Sequence, residues 1–248
     1  MAGFLNLRAS HKIFYQNLDV MKKTGFALLV LTSLAISVNA QKAYIQGGAN
    51  LANITKDADG NTDDRKGLYT FNIGILGSLG LSKTVDIETG LLFTGKGAKS
   101  ESNFGNGDYI KSTFNPLYVE LPVNLLLRFP LVGKTNSLFV HAGPYVAMGV
   151  AGKSKYESKI GVLSSNSESN IQFNNDNPTT TQQEDASYAK IKRFDYGLNV
   201  GGGIALKSLI LKANYGLGLA KINSTETNNT ADQKNKYRTL SLSVGIPL

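Results

Sequence analysis

LYVELPVNLLLRF, from Leu117 to Phe129, alternates without a break: every odd position is Leu, Val or Phe. The even positions hold Tyr118, Glu120, Pro122, Asn124, Leu126 and Arg128. A helix would scatter those polar residues around its circumference, whereas a strand gathers them on one face. The same two-residue period recurs on both sides. Val85, Ile87, Thr89, Leu91 and Phe93 oppose Asp86, Glu88, Gly90, Thr94 and Lys96. Phe194, Tyr196, Leu198 and Val200 alternate with Arg193, Asp195, Gly197 and Asn199, and Leu209 to Leu219 and Leu240 to Ile246 repeat the pattern.

With the runs near 43–53, 68–81 and 137–151, the pattern predicts eight strands. Short turns fall at Ser82-Lys83, at 130–136 and at Lys207-Ser208. Long polar connections cover about 54–67, 97–113, 152–188 and 222–236. The third, rich in Ser, Asn, Thr, Gln and Lys, cannot bury enough apolar surface to order itself alone. Long and short connections in strict alternation around an even number of strands are the signature of an outer-membrane barrel. Strands longer than the ~5–6 residues usual in soluble sheets match a tilted span of the bilayer. The expected fold is all-β: an eight-stranded antiparallel up-and-down transmembrane β-barrel after a cleaved signal peptide.

That leader reads from residues 21–40. Met21-Lys22-Lys23 opens a basic segment, an apolar run follows from Phe26 to Ile36, and Val38-Asn39-Ala40 closes it as a small-residue cleavage site. The run is well short of the ~20 residues a spanning helix needs. Residues 1–20 read as an upstream extension, 21–40 as the signal peptide and 41–248 as the barrel domain, beginning at Gln41. No later segment reaches 18 consecutive apolar residues, so crossing a membrane would require a closed barrel, the other fold that satisfies its own backbone in lipid. The chain has no cysteine, which removes thiolate catalysis and thiolate metal sites.

Four motifs occur in successive strands: Tyr118-Val-Glu120-Leu-Pro122, Gly90-Leu-Leu-Phe-Thr-Gly-Lys96-Gly97-Ala-Lys99, Gly143-Pro144-Tyr145 and Phe194-Asp195-Tyr196-Gly197. Together they resemble the PorT-like outer-membrane β-barrel family of Bacteroidetes type, from roughly Ala43 to Leu248. That resemblance implies an outer-membrane barrel, and its named member assists protein secretion across the outer membrane. Two departures stand out: the chain ends Ile246-Pro247-Leu248 rather than in an aromatic residue, and the third long connection is extended.

Eight strands leave an interior that side chains fill, so a plugged barrel is expected, with inward glycines making room for large polar partners. Asp86, Glu88, Glu120, Arg128, His141, Asp195 and Lys212, together with Arg193, fall on the inward parity as a polar network. Arg128 is expected opposite Asp86, and Glu120 near Thr94 with Lys96 diagonal to it. A narrow ion path is the functional alternative; pairing of buried charges favours the structural one. Tyr69, Phe71, Phe93, Phe129, Phe194, Tyr196 and Tyr237 are expected in interfacial belts. Basic residues gather on the long-connection side. Lys96, Lys99, Lys111, Lys190, Lys192, Lys221, Lys236 and Arg238 form a candidate rim, with Lys153, Lys155 and Lys159 nearby. Two readings stand side by side: solvated loops that need no partner, or a rim that meets outer-membrane lipid, with phosphorylated glycolipid as the candidate.

His141 is the sole histidine after residue 40 and would have to be the base of any Ser-His-Asp hydrolase; a buried structural role, hydrogen-bonded beside Tyr145, is the simpler reading. The run Gly90-x-x-x-x-Gly95-Lys96 lacks the Ser or Thr and the helix of a phosphate-binding loop, and Gly201-Gly202-Gly203 opens no helix. Asp57, Asp59, Asn61 and Asp63 space oxygens as calcium loops do, but without the Gly and Glu of an EF-hand, and read as a solvated turn. No cofactor and no nucleic-acid partner is expected, and the chain reads as a monomer. The expected function is a non-catalytic outer-membrane barrel that presents its loops or assists a secretion or surface assembly, with the partner protein unidentified. A rim-acting barrel enzyme and a soluble periplasmic ligand-binding barrel are the alternatives. N-terminal sequencing of the chain extracted from membranes should return Gln41; a chain retaining residues 1–40 would refute the leader.

Overall fold

A computed structural model describes residues 41–55, 67–131, 136–173, 190–222 and 235–248. The leader, residues 56–66 with the Asp57–Asp63 segment, and residues 132–135, 174–189 and 223–234 lie outside the described residues.

Twelve strands are described. In chain order they are β1 (Gln41–Thr55), β2 (Leu68–Gly80), β3 (Val85–Gly95), β4 (Ala98–Gly105), β5 (Asp108–Pro130), β6 (Ser137–Ile160), β7 (Leu163–Asn170), β8 (Gln172–Phe173), β9 (Lys190–Ile191), β10 (Phe194–Ala205), β11 (Ile210–Gly218) and β12 (Lys236–Pro247). Eight of them close a ring in the order β1-β2-β3-β5-β6-β10-β11-β12, with β12 returning antiparallel to β1. Closure leaves no open edge inside the ring, which lipid would not tolerate.

Burial follows the sequence alternation. Along β5, Tyr118, Glu120, Pro122, Asn124 and Leu126 are buried, while Val123, Leu125 and Leu127 are exposed. β10 repeats this, with Asp195, Gly197 and Asn199 inside and Phe194, Tyr196, Leu198 and Val200 outside. The apolar set therefore faces outward, the reverse of a soluble barrel and the arrangement a bilayer requires. Tyr69, Phe71, Phe129, Phe194 and Tyr196 lie on that outer surface. Tyr237 does not: it shares the inward parity of Thr239 and Ser243 and is fully buried, so it belongs to the lumen rather than to a belt.

The narrow interior is made to fit by pairing large inward side chains with glycine on the next strand. Gly197, Gly201 and Gly203 of β10 lie opposite Tyr145, His141 and Phe139 of β6. A Cβ at these glycines would come 2.7, 2.6 and 2.6 Å from those rings. The rings thus occupy the space a side chain would need at these positions, and one placed there would force the strands or the rings to shift.

Two connections differ from the sequence expectation. β5 and β6 run 23 and 24 residues, about twice the barrel strands, and carry β4 and β7 on their flanks. Segments 97–113 and 152–170, expected as loops, are instead a four-stranded sheet, β4-β5-β6-β7, standing off the long-connection end of the ring. Composition misleads here because an antiparallel ladder templated on a barrel strand is held by backbone hydrogen bonds and needs no buried core. Val150 is the extra residue where β6 leaves the ring: Leu117 pairs with Ala151, and Tyr118 with Gly149.

Val200→Arg, outward at the middle of β10, should cost about 2–4 kcal/mol in denaturant unfolding from vesicles or block insertion. Lys83→Glu, in a short turn, should leave stability unchanged. Equal effects would invalidate the assigned lipid face.

Candidate functional site: packed lumen and basic rim

Among the described residues, the lumen holds two ion-pair clusters. Near the short turns, the Lys212 ammonium contacts Glu88, which also accepts from the Tyr44 hydroxyl (2.5 Å) and the Asn124 amide (3.1 Å). Beside it Arg128 Nε donates to Asp86, and its Nη2 lies 3.4 Å from Ser78 Oγ. The ladder sets Asp86 opposite Leu126, two residues short of Arg128. The long guanidinium side chain closes that offset.

Near the long connections, Lys96 lies between two carboxylates, 2.8 Å from Asp195 Oδ2 and 2.9 Å from Glu120 Oε2. Its ammonium stands 4.0 Å from the centroid of the Tyr145 ring, whose hydroxyl donates to Asp195 at 3.0 Å. The Asn199 amide donates to Glu120 (3.3 Å), and Asn214 donates to Asn199 (3.0 Å). Lys96 is 3% exposed, so it belongs to the interior and not to the rim where its position at the end of β3 suggested. Two carboxylates inside the ring hold it there. Glu120 pairs with Leu92 on the ladder; Thr94, diagonal to it and lining the same cavity, accepts from Asn50 at 2.9 Å.

Asn50, Asn72, Gln46 and Ser243 link β1, β2 and β12 by amide and hydroxyl bonds of 2.6–3.0 Å between the clusters. A polar cavity of about 40 Å³ remains in this middle layer, lined in part by Gln46, Glu120, Lys212 and Asn214. That volume holds on the order of two or three waters.

Above the Lys96 cluster the lumen turns apolar. Tyr118, Tyr145, Tyr237, Ile54, Ala98 and Ala147 pack with Ile171, Ile191 and Ile222. Phe173 meets the Tyr118 ring edge-on at 5.7 Å, and the Tyr118 and Tyr237 hydroxyls are 3.3 Å apart. β8 and β9 pair parallel and bring Ile171 and Phe173 of the third connection, with Ile191 just after it, into this cap. Sequence reasoning missed it. The available signal was three isolated apolar residues in an otherwise polar stretch.

His141 is buried on the inward face of β6, but among the described residues neither ring nitrogen has a hydrogen-bond partner; the Ala213 backbone approaches it without hydrogen-bond geometry. It is also separated from Tyr145, which bonds Asp195. The hydrogen-bonded role expected for it is therefore replaced by packing over Gly201 and beside Phe139. Among the described residues, no nucleophile and carboxylate converge on it in hydrogen-bond contact. Arg193 lies outside the barrel strand, exposed, with Nη2 3.3 Å from the Phe173 carbonyl.

Outside, the remaining rim residues cluster at the long-connection end. Lys99 pairs with Glu101 (3.3 Å), Lys111 lies over the Tyr109 ring (4.2 Å), and Arg238 donates to the Gly218 and Tyr237 carbonyls. Lys192, Lys221 and Lys236 are partly exposed; the side chain of Lys190 lies outside the described residues. Lys153 and Lys155 both contact Glu168, at 2.6 and 2.9 Å. These two ammonium groups hold the Glu168 carboxyl below its ordinary range.

Residues 39–224 match the family model described as outer membrane protein beta-barrel domain. No curated protein matches the chain. Among solved structures, the chain is similar to the attachment invasion locus protein Ail of Yersinia pestis, at 15% identity and a TM-score of 0.39, over 84% of this chain and 99% of Ail. It is similar to Neisserial surface protein A at 11% identity and a TM-score of 0.38, over 83% of this chain and 97% of that one. For the N-terminal barrel of Pseudomonas aeruginosa OprF the values are 9% and 0.31, over 84% and 99%. Likeness at this level carries no argument about function.

Lys212→Met strands Glu88 in the lumen and should cost about 3–5 kcal/mol; adding Glu88→Gln should restore part of the loss, because a buried neutral amide is tolerated where a lone carboxylate is not. Unfolding titrations of the single and double variants test this. A double variant less stable than Lys212→Met alone would show that the pair is not the source of the loss.

Proposed function

The chain belongs to the outer membrane protein β-barrel domain family, and on that premise we propose that this integral outer-membrane protein is a non-catalytic scaffold. Its working surface is the four-stranded β4–β7 sheet, not the lumen. The observation that carries this is the contrast between the two: a barrel interior filled by ion pairs and an apolar cap, beneath a polar sheet with both faces open to solvent.

The N- and C-terminal strands meet at the short-turn end, where the Leu248 N–H donates to the Ala43 carbonyl at 2.9 Å. This supports periplasmic termini and extracellular long connections, with a leader removed before Gln41. The resemblance of the Tyr118–Pro122, Gly143–Tyr145 and Phe194–Gly197 motifs to PorT-like barrels of Bacteroidetes type supports assistance to a secretion or surface assembly. The sheet is then the element that meets the protein partner. Phe104, Ile160, Val162 and Leu163 are exposed at the hairpin tips, where a partner would find apolar contacts. The exposed lysines of the outer face support contact with phosphorylated glycolipid of the surrounding leaflet. The barrel itself acts as a monomer.

An enzyme acting at the rim is disfavoured by the burial of His141, the only general base with a near-neutral ordinary pKa among the described residues. Deleting residues 154–168 should leave folding intact, read as heat-modifiable gel mobility, and abolish crosslinking to protein partners on intact cells. His141→Ala should leave crosslinking unchanged, and the purified barrel should show no steady conductance in a planar bilayer. Stable open conductance, or crosslinking that survives the deletion, would overturn the proposal.

A further inference from the structure

The projecting sheet is electrostatically two-sided. Ladder partners share a face, so Lys99–Thr113–Lys155–Glu168 and Glu101–Lys111–Glu157 lie on one side, with Asn115–Lys153–Asn170 one rung lower. The opposite side carries Ser100–Ser112–Tyr156–Ser167 and Ser102–Ile110–Ser158–Ser165. Every charge of the sheet except Asp108 is on the first side. Asp108 is engaged at the tip, accepting from the Gly161 N–H at 2.7 Å. Because β5 keeps its parity through Leu117, Val119 and Leu121, the charged side is the upward continuation of the lipid-facing surface. The serine side continues the lumen.

Just above the lipid band this charged side is hollow. A groove of about 310 Å³ is floored by the apolar rung Leu117–Ala151, with Lys153 and Lys155 on its upper wall and Asn115, Asn170 and Thr113 beside them. The outward apolar run of β6 ends at Met148, Val150 and Ala151, and Lys153 comes next on that face. The strand therefore places the ammonium groups at the depth where acyl chains give way to headgroups. Both lysines share the single carboxylate of Glu168, which leaves the trio one positive charge in excess and both side chains half exposed. Lysine ammonium groups on flexible stems can turn from Glu168 to a second anion without moving the backbone.

We propose that this groove binds the phosphate group of a phosphorylated amphiphile from the same leaflet. The phosphate is held between Lys153 and Lys155, and the apolar part lies against Leu117 and Ala151. The proposal rests on the reading that the long-connection end is the outer surface. A soluble acidic protein would meet the lysines but not the lower wall, which opens sideways into lipid. Free inorganic phosphate would gain nothing from the apolar rung.

The test uses the mature barrel in detergent micelles and native mass spectrometry with three probes: diphosphoryl lipid A, its dephosphorylated form and inorganic phosphate. Diphosphoryl lipid A should bind, and Lys153→Gln with Lys155→Gln should weaken that binding about tenfold or more, as expected for loss of two charge-assisted contacts. Glu168→Gln should strengthen it, since the competing carboxylate is gone. Heat-modifiable gel mobility matching that of the unmodified barrel shows that each variant is folded. Equal binding of the dephosphorylated lipid, displacement by inorganic phosphate at matched concentration, or unchanged binding in the double variant would overturn the groove. Binding lost instead in a Lys99, Lys111, Lys221 and Lys236 to Gln variant, and kept in the double one, overturns the groove but leaves the basic-rim reading. No binding of diphosphoryl lipid A by the unmodified barrel overturns both.

Discussion

A ring of eight strands leaves room for only a small polar cavity among packed side chains, and most of this molecule follows from how it satisfies that constraint. Each charge that faces inward must find a counter-charge within the ring, because isolated burial of an ion is prohibitively costly. Lys212 with Glu88, Arg128 with Asp86, and Lys96 with Glu120 and Asp195 are the solutions found here. Each pair joins different strands, so each also fixes register: Lys212 and Glu88 lie 124 residues apart in the chain. The glycine track of β10 serves the same end, since Tyr145, His141 and Phe139 fit only where the neighbouring strand has no side chain.

The same strands behave differently once they leave the bilayer. Within the ring, β5 and β6 must hide charge and show apolar residues to lipid. Beyond the extra residue Val150, their outward face becomes a ladder of Lys, Glu and Asn, and their inward face a ladder of Ser. At the bulge the outward residues of β6 change from apolar Met148, Val150 and Ala151 to basic Lys153 and Lys155. The position of the bulge leaves the groove beside Lys153 and Lys155 at the boundary, with an apolar floor and a basic wall.

Much of this was legible in the residues. Period-two alternation gave strand number and facing, because lipid and lumen impose opposite polarity on neighbouring positions of every strand. Asp86, Glu88, Glu120, Asp195 and Lys212 could be assigned an inward direction from parity alone. Lys96 could not be placed as well, since it stands at the end of β3, where parity permits either the lumen or the rim. Its position depends on Glu120 of β5 and Asp195 of β10 converging on one point, and that depends on register across three strands. His141 illustrates the same limit. Parity turned it inward, but its packing over Gly201 and beside Phe139, with no hydrogen-bond partner for its ring nitrogens among the described residues, follows from the register of β6 against β10.

By itself, the sequence determined that this chain closes into a barrel with its apolar face outward, since periodicity is a local property and the bilayer permits few folds. Tertiary structure alone decided what caps the lumen and what stands above it. The cap is formed by Ile171, Phe173 and Ile191, which are unremarked apolar residues until β8 and β9 bring them onto Tyr118. The sheet above the barrel has a composition that signals coil, yet β4 and β7 are ordered by the strands beside them. A hydrogen-bonded edge is a template supplied by the neighbour, and no local sequence encodes the presence of that neighbour.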